Sequence, residues 1–146
     1  MTPTLIALAL LSGTPEPDPS LGPDRVVQIQ VDALRAVDKP ARDAGIATTF
    51  RFASPGNREA TGPLARFTAI VKAPEYRPLL GHRIAGYDPI AIEGDAAAQR
   101  VRVIAADGRA YDYEFRLSKD PRSACWFTDG VIPLNRPAPK PAGPIT

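Results

Sequence analysis

The feature that most constrains this chain is a change of hydrophobic period near residue 82. Before it, apolar residues recur at spacings of three and four; after it, they alternate. In YDYEFRL, Tyr111, Tyr113, Phe115 and Leu117 share one face, with Asp112, Glu114 and Arg116 on the other. In QRVRVIA, Val101, Val103 and Ala105 share a face, with Arg100, Arg102 and Ile104 opposite. A period of two marks a strand with one buried face, and a period near 3.6 marks an amphipathic helix. Helices first and strands second predict an α+β fold, with N-terminal helices packed on one face of an antiparallel sheet.

The register of the central hairpin follows from side-chain chemistry. A two-residue Asp107-Gly108 turn would set Val103 opposite Asp112. A three-residue loop, Ala106-Asp107-Gly108 with Gly108 left-handed, sets Val103 against Tyr111 and Val101 against Tyr113. On the other face it opposes Arg102 to Asp112 and Arg100 to Glu114. A slip of one residue exchanges both faces, so the three-residue loop with its bulge is predicted. Glu93-Gly94-Asp95 forms a second turn, joining 90–93 to a strand over 96–106, and Pro89 places the preceding strand at an edge or bulge. A looser connection at 119–122 leads into the last strand within ACWFTDGVIPL. The result is a meander of about four strands.

The helical half is marked by its punctuation. Ser20-Leu-Gly-Pro23-Asp24 combines a polar cap, a first-turn proline and an acid favoured by the helix dipole. Val27, Val31 and Leu34 then form a stripe, continued by Val37, with Gln28, Asp32 and Arg35 facing away. Asp43 caps a second helix through Ile46, Ala47 and Phe50. Ser54-Pro55 restarts the chain, Gly62 closes that turn with a positive φ, and Pro63 opens a helix burying Leu64, Phe67, Ile70 and Val71. The polar stretch from Phe50 to Phe67 therefore reads as helix punctuation, its hydroxyls satisfying backbone groups rather than a ligand.

At 146 residues, with 44% hydrophobic and 23% charged, the chain fits a single domain with its own core. The 17 prolines concentrate at the ends, in 15–23 and 133–144, which sets a domain over 21–134 between a start and linker at 1–20 and a proline-rich tail at 135–146. Net charge is +2 with both signs interleaved, which offers no broad field for nucleic acid. The apolar run at 5–11 is too short to span a bilayer. It looks like the hydrophobic centre of a secretory signal, so the expected location is periplasmic or secreted, with the cytoplasm as the alternative. The single Cys125 excludes an intrachain disulfide and any cysteine zinc cluster.

RFASP, ARFTAIV, PEY, QRVRVIAADG, the aromatic strand and the closing CWFTDGV together resemble a bacterial family known as domain of unknown function 4864, over about 26–134. The resemblance implies a variant of the cone-shaped nuclear transport factor 2-like fold, in which helices close one mouth of a curved sheet. Many members carry secretory signals, and the family implies no activity.

Candidate chemistry is sparse. His82 is the only histidine, so a His–His metal site is excluded, and its place between helix and strand suits a hydrogen-bonding role. Asp88, Asp107, Asp120 and Asp129 fall in or beside turns, where Asp bonds backbone. Asp129-Gly130 reads first as a bulge or turn and only second as an acid, and Trp126 reads as core on a central strand. If the concave sheet face lines a pocket, Tyr111, Tyr113, Trp126, His82 and Asp129 are the residues placed to reach it. A buried Asp beside a Tyr would permit isomerase-type proton transfer. The expected function is a non-catalytic domain binding a small apolar ligand or a protein, with no metal or cofactor and with the sheet face as a homodimer surface. A small isomerase- or dehydratase-type pocket enzyme is the alternative.

Overall fold

A computed structural model describes residues 14–134. The run at 5–11 and the tail at 135–146 lie outside them. Among the described residues four helices come first: α1 (Pro23–Arg35), α2 (Ala44–Arg51), α3 (Pro55–Thr61) and α4 (Leu64–Val71), followed by a 3₁₀ turn at Arg77–Leu79. An antiparallel sheet of β1 (Ile84–Tyr87), β2 (Ala91–Glu93), β3 (Ala96–Ile104), β4 (Ala110–Lys119) and β5 (Trp126–Pro133) packs against them. The fold is α+β, as its periods require.

The strand order is β1-β3-β4-β5, and β2 also pairs with β3. Five strands replace the expected four because Asp88-Pro89-Ile90 interrupts the edge, and β1 and β2 each pair separately with β3. Proline lacks the N–H that a continuous ladder needs. The central hairpin has the predicted register: Val103 faces Tyr111, Val101 faces Tyr113, Arg102 faces Asp112 and Arg100 faces Glu114. Gly108 sits at φ +85° and donates to the Ala105 carbonyl, closing the three-residue loop. Arg102 forks onto Asp112 at 2.7 and 2.9 Å. The outer sheet face is thus laced with charge, while Val101, Val103, Tyr113, Phe115 and Leu117 enter the core.

α1 buries Val27, Val31 and Leu34 as its period predicts. Its N-cap is Gly22 rather than Ser20, whose hydroxyl instead donates to Asp18. Asp43 does stand at the N-cap of α2, but its carboxylate pairs with Lys72 at the C-cap of α4 and caps nothing. α2 closes tightly on α1 because position 45 is glycine: a Cβ there would fall on the Ala33 carbonyl. Ser54 caps α3, accepting from the Asn57 N–H at 3.2 Å. Gly62 is needed for a different reason than its turn position implies. Its φ is −82°, an ordinary value, but a Cβ would stand 2.5 Å from the Arg58 carbonyl oxygen and 3.1 Å from Phe50. On α4, Phe67 and Val71 are buried while Leu64 remains 40% exposed.

Trp126 is in the core but not on a central strand, since β5 is a sheet edge. That edge is covered by the chain between α2 and α3. Thr128 donates its N–H to the Phe52 carbonyl and accepts from the Ser54 N–H, both at 2.8 Å, in a parallel bridge with Ala53. Covering an exposed edge removes a template for aggregation.

Candidate functional site

A polar joint sits where α1, α2 and β5 meet. Gln30 on α1 is 1% exposed and Thr128 on β5 is 2% exposed. The Thr128 hydroxyl donates to Gln30 Oε1 at 2.6 Å, and Gln30 Nε2 donates to the Thr49 carbonyl at 3.1 Å. Thr49 in turn donates its hydroxyl to the Gly45 carbonyl, and Asn57 Nδ2 donates to the Thr128 carbonyl. Buried polar groups persist only when bonded in this way.

Above this joint opens a cavity of about 550 Å³ between the helices and the β4–β5 face of the sheet. Leu34, Phe67, Ile70, Val71, Leu79, Phe115 and Val131 supply apolar walls. Gln30, Ser54, Asn57, Thr61 and Thr128 supply a polar strip along the covered edge. The stretch from Phe50 to Phe67 therefore does two things. It is punctuation, as its caps show, and it is also a wall of the cavity. Volume, apolar lining and a few grouped polar atoms are the usual properties of a small-molecule site.

Tyr76 closes one side of the cavity. Its ring stacks on Tyr113, with centroids 6.4 Å apart, and its hydroxyl donates to the Val131 carbonyl. Burial first, then the nearby Glu75 charge, raises its pKa, so the phenol stays protonated and acts as a wall.

The five residues singled out from the sequence do not converge. Asp129 lines the cavity. It is the extra residue of a bulge, since Arg116 pairs with Gly130 and Leu117 with Thr128, so of bulge and turn the bulge is what forms at Asp129-Gly130. Its side chain is exposed and accepts from the Ser118 hydroxyl at 3.0 Å. Tyr111 and Tyr113 instead flank a separate depression beside Glu75, Arg109 and Pro133. The Tyr113 hydroxyl donates to the Glu75 carbonyl, and burial pushes its pKa upward. The Tyr111 hydroxyl donates to Asp107 at the exposed hairpin loop. His82 is 3% exposed with Nδ1 2.8 Å from the Leu79 carbonyl, the bonding role its junction position predicts. Desolvation is the main cause lowering its pKa. Trp126 packs in the core beside buried Cys125. No buried Asp–Tyr pair for proton transfer is assembled among these residues.

Gln30, Thr128 and Asn57 were not singled out from the sequence. A signal for Gln30 was present: position 30 lies three after Val27 and four before Leu34, on the buried face of α1.

The family model for the domain of unknown function DUF4864 matches residues 22–141. The chain belongs to this family. Comparison with the curated proteins and with the solved structures gives no match. Within the DUF4864 domain, no described group of His, Cys, Asp and Glu is arranged to hold a metal ion. None of its described helices is long and apolar enough to cross a membrane.

Proposed function

We propose that this DUF4864 domain is a non-catalytic binding domain whose cavity between the helices and the β4–β5 face holds a small, largely apolar ligand. The observation that carries the reading is the lining: aliphatic and aromatic walls around one polar strip, in a volume of about 550 Å³. The titratable side chains on that lining are Tyr76 and Asp129. The first is bonded to a backbone carbonyl and the second is exposed and bonded to Ser118. Tyr76 donates its proton to a backbone carbonyl, and the Ser118 hydroxyl that meets Asp129 is not on the lining, so the lining supports binding rather than proton transfer.

We also read the architecture as a variant of the cone-shaped nuclear transport factor 2-like fold. Its support is the set of helices lying across one face of the sheet and the bulge at Asp129, since bulges bend a strand and re-aim its side chains. The proposal includes export, for which the support is the apolar run at 5–11. Fractionation of the native host reads that part directly: a wholly cytoplasmic protein removes it.

The cavity is tested with Nile red, a neutral dye whose emission rises in apolar surroundings. Gly56 and Ala60 are one turn apart on α3, both exposed and both on the cavity lining. The space around a Cβ at Gly56 is open. The double variant Gly56→Leu/Ala60→Leu is expected to abolish dye binding without lowering the melting temperature, because leucine favours the helix more than glycine does. Undiminished binding in that variant, or none in the parent, refutes the cavity reading.

A further inference from the structure

β4 is longer than the strand that covers it. Its pairing with β5 runs from Lys119 with Trp126 to Tyr113 with Pro133, while β4 itself begins at Ala110. The backbone at that end has a definite direction. The Arg109 carbonyl accepts from the Ala105 N–H on the β3 side, and the Asp112 carbonyl accepts from the Leu134 N–H on the β5 side. Residues of an antiparallel strand turn alternately to one neighbour and the other. Ala110 therefore turns its N–H and C=O to the β5 side, where no described residue pairs with it. The depression lined by Pro74, Tyr76, Tyr111, Tyr113 and Pro133 lies along this uncovered edge. An open edge beside apolar walls is a template for another strand.

The chain carries a segment that fits. Leu134 is bonded to this edge, and NRPAPKP follows over 135–141. The DUF4864 match takes in these residues and ends at 141. Because Leu134 donates to β4, even-numbered positions direct their N–H at β4 and odd-numbered positions direct it away. Pro133 already stands at an odd position within β5. Pro137, Pro139 and Pro141 keep that parity, and Arg136, Ala138 and Lys140 retain an N–H at the even positions. Proline is compatible with an edge strand where its missing N–H would face away from the ladder.

We infer that residues 135–137 extend β5 along the open end of β4, so that the occupant of this depression is the chain's own proline-bearing segment. Carried forward from Tyr113 with Pro133, the register sets Asn135 opposite Tyr111, Arg136 opposite Ala110 and Pro137 opposite Arg109. Asn135 and Pro137 then turn to the Tyr111 face, where proline meets an aromatic ring as in proline-recognising grooves. Arg136 turns to the outer face, diagonal to Asp112, within reach of a long side chain and opposite in charge.

NMR of the intact chain tests this placement. The α-protons of Tyr111 and Asn135 should be in close contact, as in a directly opposed pair that exchanges no hydrogen bond. Amide exchange at Ala110 should be slower by about tenfold or more than in Arg136→Pro/Pro137→Arg. That double variant keeps the composition and moves a proline onto the donating position. No contact in the parent overturns the inference, and so do contact and slow exchange that survive in the double variant. In a mixture of isotope-labelled and unlabelled chains the contact should arise within single chains. Contact between chains would give the depression to a second copy and overturn the placement.

Discussion

Removing the Thr128 hydroxyl isolates the energetics of the polar joint. Thr128→Val keeps the shape and the β-branched preference for strand. It also keeps both backbone bonds to Phe52 and Ser54. What it removes is the 2.6 Å bond into Gln30 Oε1, leaving a 1%-exposed carbonyl oxygen without that donor. An unsatisfied buried acceptor costs about 1–3 kcal/mol, and for a domain of this size each kcal/mol corresponds to about 4 °C in Tm. The expected loss is therefore about 4–12 °C. Gln30→Leu alone strips a partner from both Thr128 and the Thr49 carbonyl and should cost a similar amount. In the double variant Gln30→Leu/Thr128→Val only the Thr49 carbonyl loses a donor, and it keeps the Phe52 N–H, so the combined loss should fall short of the sum by about 1–2 kcal/mol. Urea unfolding of the four proteins of this cycle, followed by Trp126 fluorescence, measures the coupling. Strictly additive losses, or a Thr128→Val protein as stable as the parent, would show that the joint does not hold α1 to β5.

Three further outcomes follow from particular contacts. Gly45→Ala and Gly62→Ala should each destabilise by about 1–3 kcal/mol, because each new Cβ meets a backbone carbonyl that cannot swing aside; a neutral Gly62→Ala would mean that the turn after α3 can open at no cost. Arg102→Glu should lower stability and Asp112→Arg should partly restore it, since the two face each other across β3 and β4; absence of coupling in urea melts contradicts the three-residue loop. Burial, opposed by the Leu79 carbonyl, with Arg35 lowering and Asp32 raising, leaves the His82 pKa below its ordinary 6.5. The folded chain then stays neutral there while the unfolded chain takes a proton, so this stability is complete above about pH 6.5 and declines as pH falls toward the folded pKa. Melting temperatures between pH 7.5 and 5.5 should thus decline less in His82→Gln than in the parent, and equal declines would show that His82 is not held neutral.

How much of this was legible depended on whether the information was local. The hairpin register could be read because its two faces differ chemically, so that one alignment pairs apolar with apolar and Arg with Asp and every other alignment does not. α1 could be read because Val27, Val31 and Leu34 keep one period. Gln30 escaped for the same reason that the valines did not: sorting by hydrophobicity assigns a glutamine to solvent, and its partner Thr128 lies 98 residues away. Gly62 was misread because a turn position invites a positive φ, whereas the constraint is a steric one from Arg58 and Phe50. Tyr111 and Tyr113 alternate onto the core face as expected, but a pleat says nothing of which neighbour a phenol reaches, and theirs reach Asp107 and the Glu75 carbonyl.

The cavity arises from the way the sheet is closed. β5 is an edge, and an edge must be covered. The chain between α2 and α3 does so by bonding both backbone groups of Thr128 to Phe52 and Ser54. That contact draws the start of α3 alongside β5 and sets Ser54, Asn57 and Thr61 facing Phe115 and Val131 across open space, which is the cavity. It also coincides with the break in pairing to β4: Leu117 pairs with Thr128, Arg116 already pairs with Gly130, and Asp129 is left over between them. Held on one side by α3 and on the other by β4, the strand accommodates that extra residue by turning it outward, where its carboxylate accepts from the Ser118 hydroxyl. Deleting Asp129 would make the pairing regular while leaving Gly130 opposite Arg116 and Val131 opposite Phe115, so the Val131 wall of the cavity would be kept.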